Sequence, residues 1–195
     1  MPARSRTSST AILRKAKRSD GRVTIRPWRE RDADALIRRI NDPLVAAFLD
    51  HVPQPYTQAD ARAWFALAEE RWREGTMAAF AIEVEGVEGP VGGVGVHFFG
   101  GLDEGSAEVG YWVAEEARGL GVATAATRLA AAWAFGSHRD LVRLQLRADV
   151  ENVPSNRVAE KAGFTREGVL RAQRYNARLG RRTDFAMWSL LRDEV

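Results

Sequence analysis

The sequence predicts one domain of the mixed α/β class, and three observations support this prediction. The chain has 195 residues, which suffices for one well-buried core and is marginal for two. Two strand-like segments, 80–84 and 91–98, flank the turn-forming segment 86–90, which indicates an antiparallel hairpin. A strand, a long helix and a second strand follow over 107–148, which is typical of a βαβ unit with parallel strands.

The spacing of apolar residues predicts the other elements of the chain. Alternation indicates strands and a repeat of three to four residues indicates helices, with glycine and proline at their ends. In chain order these are strand 23–26, helix 30–49 interrupted by Pro43, a helix from Thr57 or Asp60 to Gly75, strand 107–113, helix 120–135, strand 143–148, a short helix between Pro154 and Gly163, and strands 165–175 and 183–191. With the hairpin, this makes a sheet of seven strands.

The turn Arg118-Gly119-Leu120-Gly121-Val122-Ala123 is the most informative feature of the chain. It lies between the predicted strand 107–113 and the alanine-rich helix 120–135. Its two glycines let the backbone come close to a ligand, and the start of the helix offers unpaired N–H groups and the positive end of the helix dipole. The turn therefore predicts an anion site that would fit a diphosphate.

Two familiar nucleotide sites fit this turn poorly. A dinucleotide fingerprint requires a small residue where Thr124 stands and an acidic ribose ligand about 20 residues further on, which the sequence lacks. A P-loop would need a Lys-Ser or Lys-Thr pair, which is also missing. The other glycine cluster, Gly93-Val94-Gly95, has apolar residues on both sides and no helix after it, so we interpret it as a strand with close backbone packing.

Composition and charge exclude several classes of protein. The sequence contains no cysteine, which excludes disulfides, thiolate metal sites and an acyl-cysteine intermediate. No apolar run approaches the roughly 18 residues of a membrane-spanning helix, so no membrane partner is expected. His51, His97 and His138 are too scattered for a metal site, and no metal is predicted. These features favour a cytoplasmic protein.

The basic charge of the chain lies in its first residues. Residues 1–20 hold six basic side chains and one acidic side chain, whereas residues 21–195 hold 23 and 25. The folded body is therefore not expected to bind nucleic acid, except through this tail. Residues 1–20 are poor in large apolar side chains and are predicted to be a disordered basic tail, with a transit peptide or a binding arm as alternatives, and residues 21–195 form the domain.

Arg118-x-x-Gly121-x-Ala123 follows the strand 107–113, and the downstream segment 152–164 contains Asn-x-x-Ser and Lys-x-Gly-Phe. Taken together, these motifs resemble the GNAT superfamily of acetyl-CoA-dependent N-acyltransferases, over roughly residues 22–192. The start Ile25-Arg26-Pro27 with Asp32-Ala33, and the segment 180–191, look like the subfamily of ribosomal-protein N-terminal alanine acetyltransferases. The resemblance to the GNAT superfamily implies a central, mostly antiparallel sheet with a splayed parallel pair of strands and flanking helices.

The same resemblance implies where the acyl donor, acetyl-CoA, binds. The backbone of Tyr111, Trp112 and Val113 would pair with the pantetheine amides, and one N–H would polarise the thioester. The diphosphate would lie on the backbone of Arg118, Gly119, Leu120, Gly121, Val122, Ala123 and Thr124. Asn152 and Asn156 would touch the cofactor or organise its loop.

The resemblance also assigns the proton transfers. Glu108 matches the position of the general base, and Ser155 matches the residue that protonates the leaving thiolate, with Tyr175 as a rival general acid. A solvent-facing carboxylate and a helix-capping serine are the structural alternatives for Glu108 and Ser155.

The acceptor amine is not fixed by any motif. A protein N-terminal α-amine is expected, and a small amine (aminoglycoside, polyamine or amino acid) and a non-catalytic CoA-binding module are the alternatives. The region 40–75 and the last hairpin would select the acceptor, and Trp64 or Trp72 would either join the core or wall the acceptor pocket. We expect the amine to attack acetyl-CoA directly in a ternary complex. The protein is expected to be a monomer or a homodimer.

Overall fold

A computed structural model describes residues 16–49 and 52–195, in which eight strands form one mixed sheet. The spatial order is β1-β2-β3-β4-β5-β6-β8-β7, and every neighbouring pair is antiparallel except β5 and β6. The strands are β1 (Arg18–Ser19), β2 (Val23–Pro27), β3 (Met77–Val84), β4 (Gly92–Phe98), β5 (Ser106–Val113), β6 (Arg143–Asp149), β7 (Thr165–Asn176) and β8 (Arg181–Leu191). The connection from β5 to β6 confirms the predicted βαβ unit.

Side chains cap the start of three of the five helices in these residues. They are α1 (Ala33–Ile40), α2 (Pro43–Phe48), α3 (Gln58–Glu74), α4 (Val122–Ser137) and α5 (Val153–Lys161). Thr57 caps α3 through a reciprocal pair of hydrogen bonds with Asp60, and Gly75 ends it at a φ of 75°. Pro43 is the first residue of α2, which explains why the predicted helix 30–49 is broken into separate pieces.

The helices pack on opposite faces of the sheet. Helix α4 buries Val122, Ala126 and Ala130 against Phe80 and Leu144, which point to one face. Residues Met77 and Ala79 alternate with Phe80 and point to the other face, where they form a small buried cluster with α3. The main core thus lies under α4 and α5, whereas α1 and α3 cover only the β3 and β4 side of the opposite face.

The sheet contains one strand more than the seven that the sequence predicts. The additional strand is β1, in which Arg18 lies opposite Ile25 and Ser19 opposite Thr24. The predicted boundary at residue 20 is therefore wrong for residues 16–20. Its physical reason is local: the Asp20 carboxylate accepts hydrogen bonds from two backbone N–H groups of the following turn, and Ala16 is 1% exposed in the core. Residues 1–15, the rest of the predicted tail, lie outside the described residues.

A buried ion-pair network ties β2 to β3 and to the start of α1. The guanidinium of Arg26 donates to both carboxylate oxygens of Asp32, at 2.6 and 2.8 Å, and to Glu83 at 2.6 and 2.9 Å. Arg26 and Asp32 are each 4% exposed. Burial alone would lower the pKa of Arg26, but the two carboxylates outweigh it and raise the pKa. The network satisfies a charge that would otherwise be costly inside the protein.

We predict that Asp32→Asn destabilises the protein by about 3 kcal/mol, because it removes one of the two carboxylates that compensate the buried charge of Arg26 and leaves Glu83 as its partner. The free energy of unfolding from urea titration measures the effect. Glu69→Gln serves as the control, since its pairing with Arg73 at 3.8 Å is exposed and contributes at most about 0.5 kcal/mol. Equal losses for the two variants would contradict a structural role for the buried network.

Candidate active site

The two parallel strands at the centre of the sheet separate shortly after they meet. Their pairing covers only Ser106–Glu108 of β5 against Arg143–Gln145 of β6. Beyond these residues β5 continues to Val113 on its β4 side, and β6 continues to Asp149 on its β8 side. A gap therefore opens between the carboxyl-terminal halves of β5 and β6, the predicted splay.

The backbone groups that face this gap follow from the pairing of β5 with β4. The N–H of Ala114 donates to the carbonyl of Val91 at 2.8 Å. Because hydrogen-bonded pairs alternate along antiparallel strands, the backbone of Trp112 points towards β4, whereas that of Tyr111 and Val113 points into the gap. Of the three predicted backbone contacts, only those of Tyr111 and Val113 fit; Trp112 is directed elsewhere.

A cleft of about 860 Å³ lies at the gap and extends towards the first three helices. Its floor is formed by β3 to β6, and its far side by the hairpin of β7 and β8. Aromatic side chains from separate parts of the chain line it, namely Trp28, Phe48, Tyr56, Trp64, Tyr111, Trp112 and Phe185. Trp64 thus fits the alternative of an acceptor-pocket wall, whereas Trp72 packs in the core against Phe80 and Trp133.

Glu108 lies on the cleft floor and is held by two neighbours on β6. Its carboxylate accepts hydrogen bonds from Arg147 at 2.8 and 3.1 Å and from Gln145 at 3.0 Å. It lies opposite His97 of β4, which also lines the cleft. Glu108 is therefore a fixed carboxylate with a positive partner, rather than the freely solvated strand residue of the alternative interpretation.

Tyr111 and Ser155 form a second polar pair in the cleft. The two hydroxyl oxygens are 2.9 Å apart, and burial raises the pKa of Tyr111 to about 12, an effect that the bond to Ser155 partly offsets. The hydroxyl of Tyr111 is therefore protonated at neutral pH. The sequence points to Ser155 but not to the Tyr111 side chain, because a contact between residues 44 positions apart leaves no local signal.

Asn152 and Asn156 organise the loop that carries Ser155. Asn152 caps α5 by accepting the N–H of Ser155 at 3.1 Å, which fixes the position of the hydroxyl. Asn156 donates to the carbonyls of Asp149 and Asn152 and accepts the indole N–H of Trp188 at 3.1 Å. Its amide is engaged by the protein on both sides, which favours the organising role over a direct cofactor contact.

The glycine turn has the geometry of an anion cradle. Gly119 and Gly121 adopt φ values of 72° and 75°, and a Cβ at either position would have no protein atom within 4 Å. Gly121 is the N-cap of α4, so Val122, Ala123 and Thr124 carry N–H groups without intrahelical partners. The open space and the unpaired N–H groups fit a diphosphate, as the sequence predicts. Leu120 is exposed, and its carbonyl accepts a hydrogen bond from Arg22.

Arg118 connects the glycine turn to the start of α2. Its guanidinium lies 2.8 Å from the carboxylate of Asp42, which caps α2. Burial would raise the pKa of Asp42, but the N–H groups of Val45 and Leu44 and the charge of Arg118 outweigh it and lower the pKa. The sequence gives no sign of this pairing, because the partners are far apart along the chain.

Residues 16–49 and 52–195 contain no group of three or more His, Cys, Asp or Glu side chains that could hold a metal ion. His138 packs on Phe98 and Trp133, with ring centroids 4.1 and 5.5 Å away, and burial lowers its pKa. His51 lies outside the described residues. Within the same ranges, no helix is long and apolar enough to cross a membrane.

A splayed parallel pair beside a helix that starts at a glycine turn defines an acyl-CoA-dependent N-acyltransferase. Comparison with protein families agrees with this class, because the model described as "Acetyltransferase (GNAT) domain" matches residues 22–165. The chain belongs to the GNAT acetyltransferase family. Acetyl-CoA is its acyl donor, and an amine is the acceptor.

Individual relatives share most of the chain. The uncharacterized N-acetyltransferase p20 of Bacillus licheniformis is 30% identical over 174 residues, 89% of this chain and 94% of that protein. RimJ of Mycobacterium smegmatis, solved in complex with CoA-disulfide, is 28% identical with a TM-score of 0.78, over 89% of this chain and 83% of that chain. A ribosomal-protein-S5-alanine acetyltransferase from Vibrio fischeri, at 18% identity, shares the fold, with a TM-score of 0.79 over 91% of this chain and 97% of that chain.

We predict that Gly121→Ala weakens CoA binding, because a Cβ would enter the open cradle and a positive φ strains alanine by about 1 kcal/mol. The increase in melting temperature on adding CoA measures the binding.

Gly86→Ala is the matched control, since Gly86 has a φ of 77° and equally open surroundings in the turn between β3 and β4. We expect a similar loss of stability in both variants, and a reduced CoA shift only in Gly121→Ala. An undiminished shift in Gly121→Ala would exclude the turn as part of the CoA site.

Proposed function

We propose that the protein transfers the acetyl group of acetyl-CoA to the α-amine of a polypeptide N-terminus, by direct attack in a ternary complex. The single observation that carries this proposal is the lining of the acceptor half of the cleft, the part that extends from the gap between β5 and β6 to α1, α2, α3 and the hairpin of β7 and β8. This lining is mainly aromatic and aliphatic and nearly balanced in charge. The motifs that resemble those of ribosomal-protein N-terminal alanine acetyltransferases, Ile25-Arg26-Pro27 with Asp32-Ala33 and the segment 180–191, support the same class of acceptor.

The charges of the lining argue against a polyamine or aminoglycoside. Such polycations require several uncompensated carboxylates, but among residues 16–49 and 52–195 the cleft is lined by three, Asp60, Glu108 and Asp149. Glu108 is paired with Arg147, and Asp149 accepts the N–H of Glu151 at 2.9 Å. Arg174 adds a further positive charge to the lining. An N-terminus brings a single positive charge and apolar groups, which this lining accommodates better.

The chemistry of an α-amine also matches the weak base that the cleft offers. An α-amine has a pKa of about 7.7 to 8.0, against about 10.4 for a lysine side chain, so a sizeable fraction is neutral near pH 7. Only a modest base is then needed to remove the proton. Glu108, with its charge balanced by Arg147, supplies such a base and acts through a water molecule on the attacking amine.

The remaining steps use groups along the gap between β5 and β6. The amine nitrogen attacks the thioester carbon, and a backbone N–H that β5 directs into the gap, at Tyr111 or Val113, stabilises the developing oxyanion. The carbon–sulfur bond then breaks. The thiolate takes a proton from the pair Tyr111 and Ser155, whose hydrogen bond lets either hydroxyl restore the other. With no cysteine in the chain, no acyl-cysteine intermediate can form.

We predict that peptides with a free N-terminal alanine are acetylated with a higher kcat/KM than spermidine, an aminoglycoside or the same peptides with a blocked N-terminus. Release of CoA measures the rate, and mass spectrometry locates the acetyl group. The blocked peptide, which retains a lysine, controls for side-chain acetylation. Preference for a small polycation would refute the proposed acceptor while leaving the acetyltransferase activity intact.

We predict that Glu108→Gln lowers kcat/KM by about 100-fold or more, because the amide cannot accept the proton. Glu167→Gln is the control: Glu167 pairs with Arg143 at 2.6 Å but does not line the cleft. Unchanged activity in Glu108→Gln would show that its pairing with Arg147 is structural only.

We predict that Ser155→Ala and Tyr111→Phe each lower kcat by about 10-fold or more, and that the double variant is little worse than either, because the hydroxyls act as one unit. Since the pKa of Tyr111 is about 12, the wild-type kcat should not fall through loss of this proton up to about pH 10.

Tyr175→Phe is the control for these variants. Tyr175, the rival general acid, is 57% exposed and does not line the cleft. A drop in kcat for Tyr175→Phe alone would reverse the assignment.

A further inference from the structure

Charge is distributed unevenly over the folded part of the chain. The hairpin of β7 and β8 from residue 165 to residue 184 holds six arginines and two carboxylates, a net charge of +4. The other residues of 21–195 hold 17 basic and 23 acidic side chains, a net charge of −6. An arginine cluster therefore stands on an otherwise acidic domain, comprising Arg166, Arg171, Arg174, Arg178, Arg181 and Arg182.

The arginine cluster meets the acceptor half of the cleft at Arg174. Arg174 lines the cleft directly, together with Gln173 and Asn176 of the same strand. The hairpin is anchored to the acceptor side, because Asn176 donates to the carbonyl of Ala47 at 3.1 Å and Arg178 donates to the carbonyl of Val52 at 2.9 Å. A chain that leaves the cleft on this side would lie beside the hairpin.

The hairpin holds its arginines on a fixed backbone. A bulge interrupts β7 between Leu170 and Arg174, and Ala172 within it has a φ of 49°. The N–H of Ala172 donates to the Asp184 carboxylate at 2.7 Å, and the carbonyl of Ala172 accepts a hydrogen bond from Arg182 at 2.7 Å. The bulge therefore has a defined shape, and the exposed Arg171 beside it extends into solvent.

We propose that the arginine cluster docks an acidic segment of the acceptor polypeptide, a few residues downstream of the N-terminal amine that reacts in the cleft. This inference rests on the proposed function, since it requires a polypeptide acceptor. Guanidinium groups bind carboxylates through charge-assisted and often bidentate hydrogen bonds. The cluster selects acceptors by the sequence after the first residues, whereas the cleft itself selects the amine.

An acidic polypeptide fits this surface better than RNA does. The cluster is confined to one hairpin, and the surrounding domain is net negative, so a polyanion longer than the hairpin would be repelled by its neighbours. A flexible chain that enters the cleft with its N-terminus needs to contact the hairpin only over a few residues. Carboxylates at those positions are attracted by the arginines of the hairpin, and the peptide does not need to extend over the acidic surface around it.

The test uses three peptides of about 12 residues, long enough when extended to span about 40 Å. All share the same first three residues, starting with alanine, and then carry glutamate, glutamine or lysine at the same four later positions. We expect kcat/KM to be about 10-fold higher for the glutamate peptide than for the glutamine peptide, through a lower KM, and lowest for the lysine peptide. The preference should shrink as salt is added.

The variants Arg171→Gln and Arg166→Gln, combined, should reduce the glutamate-over-glutamine preference by about 3-fold or more, as expected for losing two exposed charge contacts. Arg139→Gln is the matched control, since Arg139 is exposed in the loop before β6, at the end of that strand away from the cleft. The thermal unfolding midpoint checks that all variants are folded.

The outcomes separate this inference from the proposed function. If no peptide is acetylated while a small amine is, the proposed function fails. If all three peptides react equally well, or if the arginine variants keep the full preference, the arginine cluster does not dock an acidic segment. Tighter binding of a uridine 12-mer than of the glutamate peptide, lost in the arginine variants, would also overturn it in favour of RNA.

Discussion

The functional architecture depends on one constraint, the early end of the parallel pairing between β5 and β6. Only three residues of each strand are paired, yet both strands continue because β4 and β8 hold them on their outer sides. The backbone groups that face the gap are therefore left for a ligand or for water, since buried N–H and C=O groups need partners. A complete parallel pair would close the gap and leave no unpaired backbone groups beside Tyr111 and Val113.

Two carboxylate–arginine pairs show how the same chemistry serves different purposes on this sheet. Asp32 and Arg26 are almost wholly buried and fix the geometry of β2, β3 and α1. Glu108 and Arg147 are about 21% and 36% exposed and lie on the open face of the sheet, within the cleft. Solvent access leaves the second pair open to a ligand in the cleft, whereas the first pair is enclosed by its surroundings.

The sequence predicts what depends on local conformation. Gly119 and Gly121 require positive φ, and this requirement is legible from the residues themselves, as are the capping residues Thr57 and Asn152. Strand β1 is not predictable in this way, because two residues form a strand only when β2 offers a partner. The bond between Tyr111 and Ser155 and the pairing of Arg118 with Asp42 depend on tertiary structure, and no local pattern encodes them.

The two ends of the sheet have a consequence for how the molecules behave towards one another. A long, flat and apolar edge strand can template the addition of strands from other chains, which leads to aggregation. One edge here is β1, which is only two residues long, and the other is β7, which is interrupted by a bulge and carries exposed arginines. Both edges therefore resist edge-to-edge association, although the sheet between them is eight strands wide.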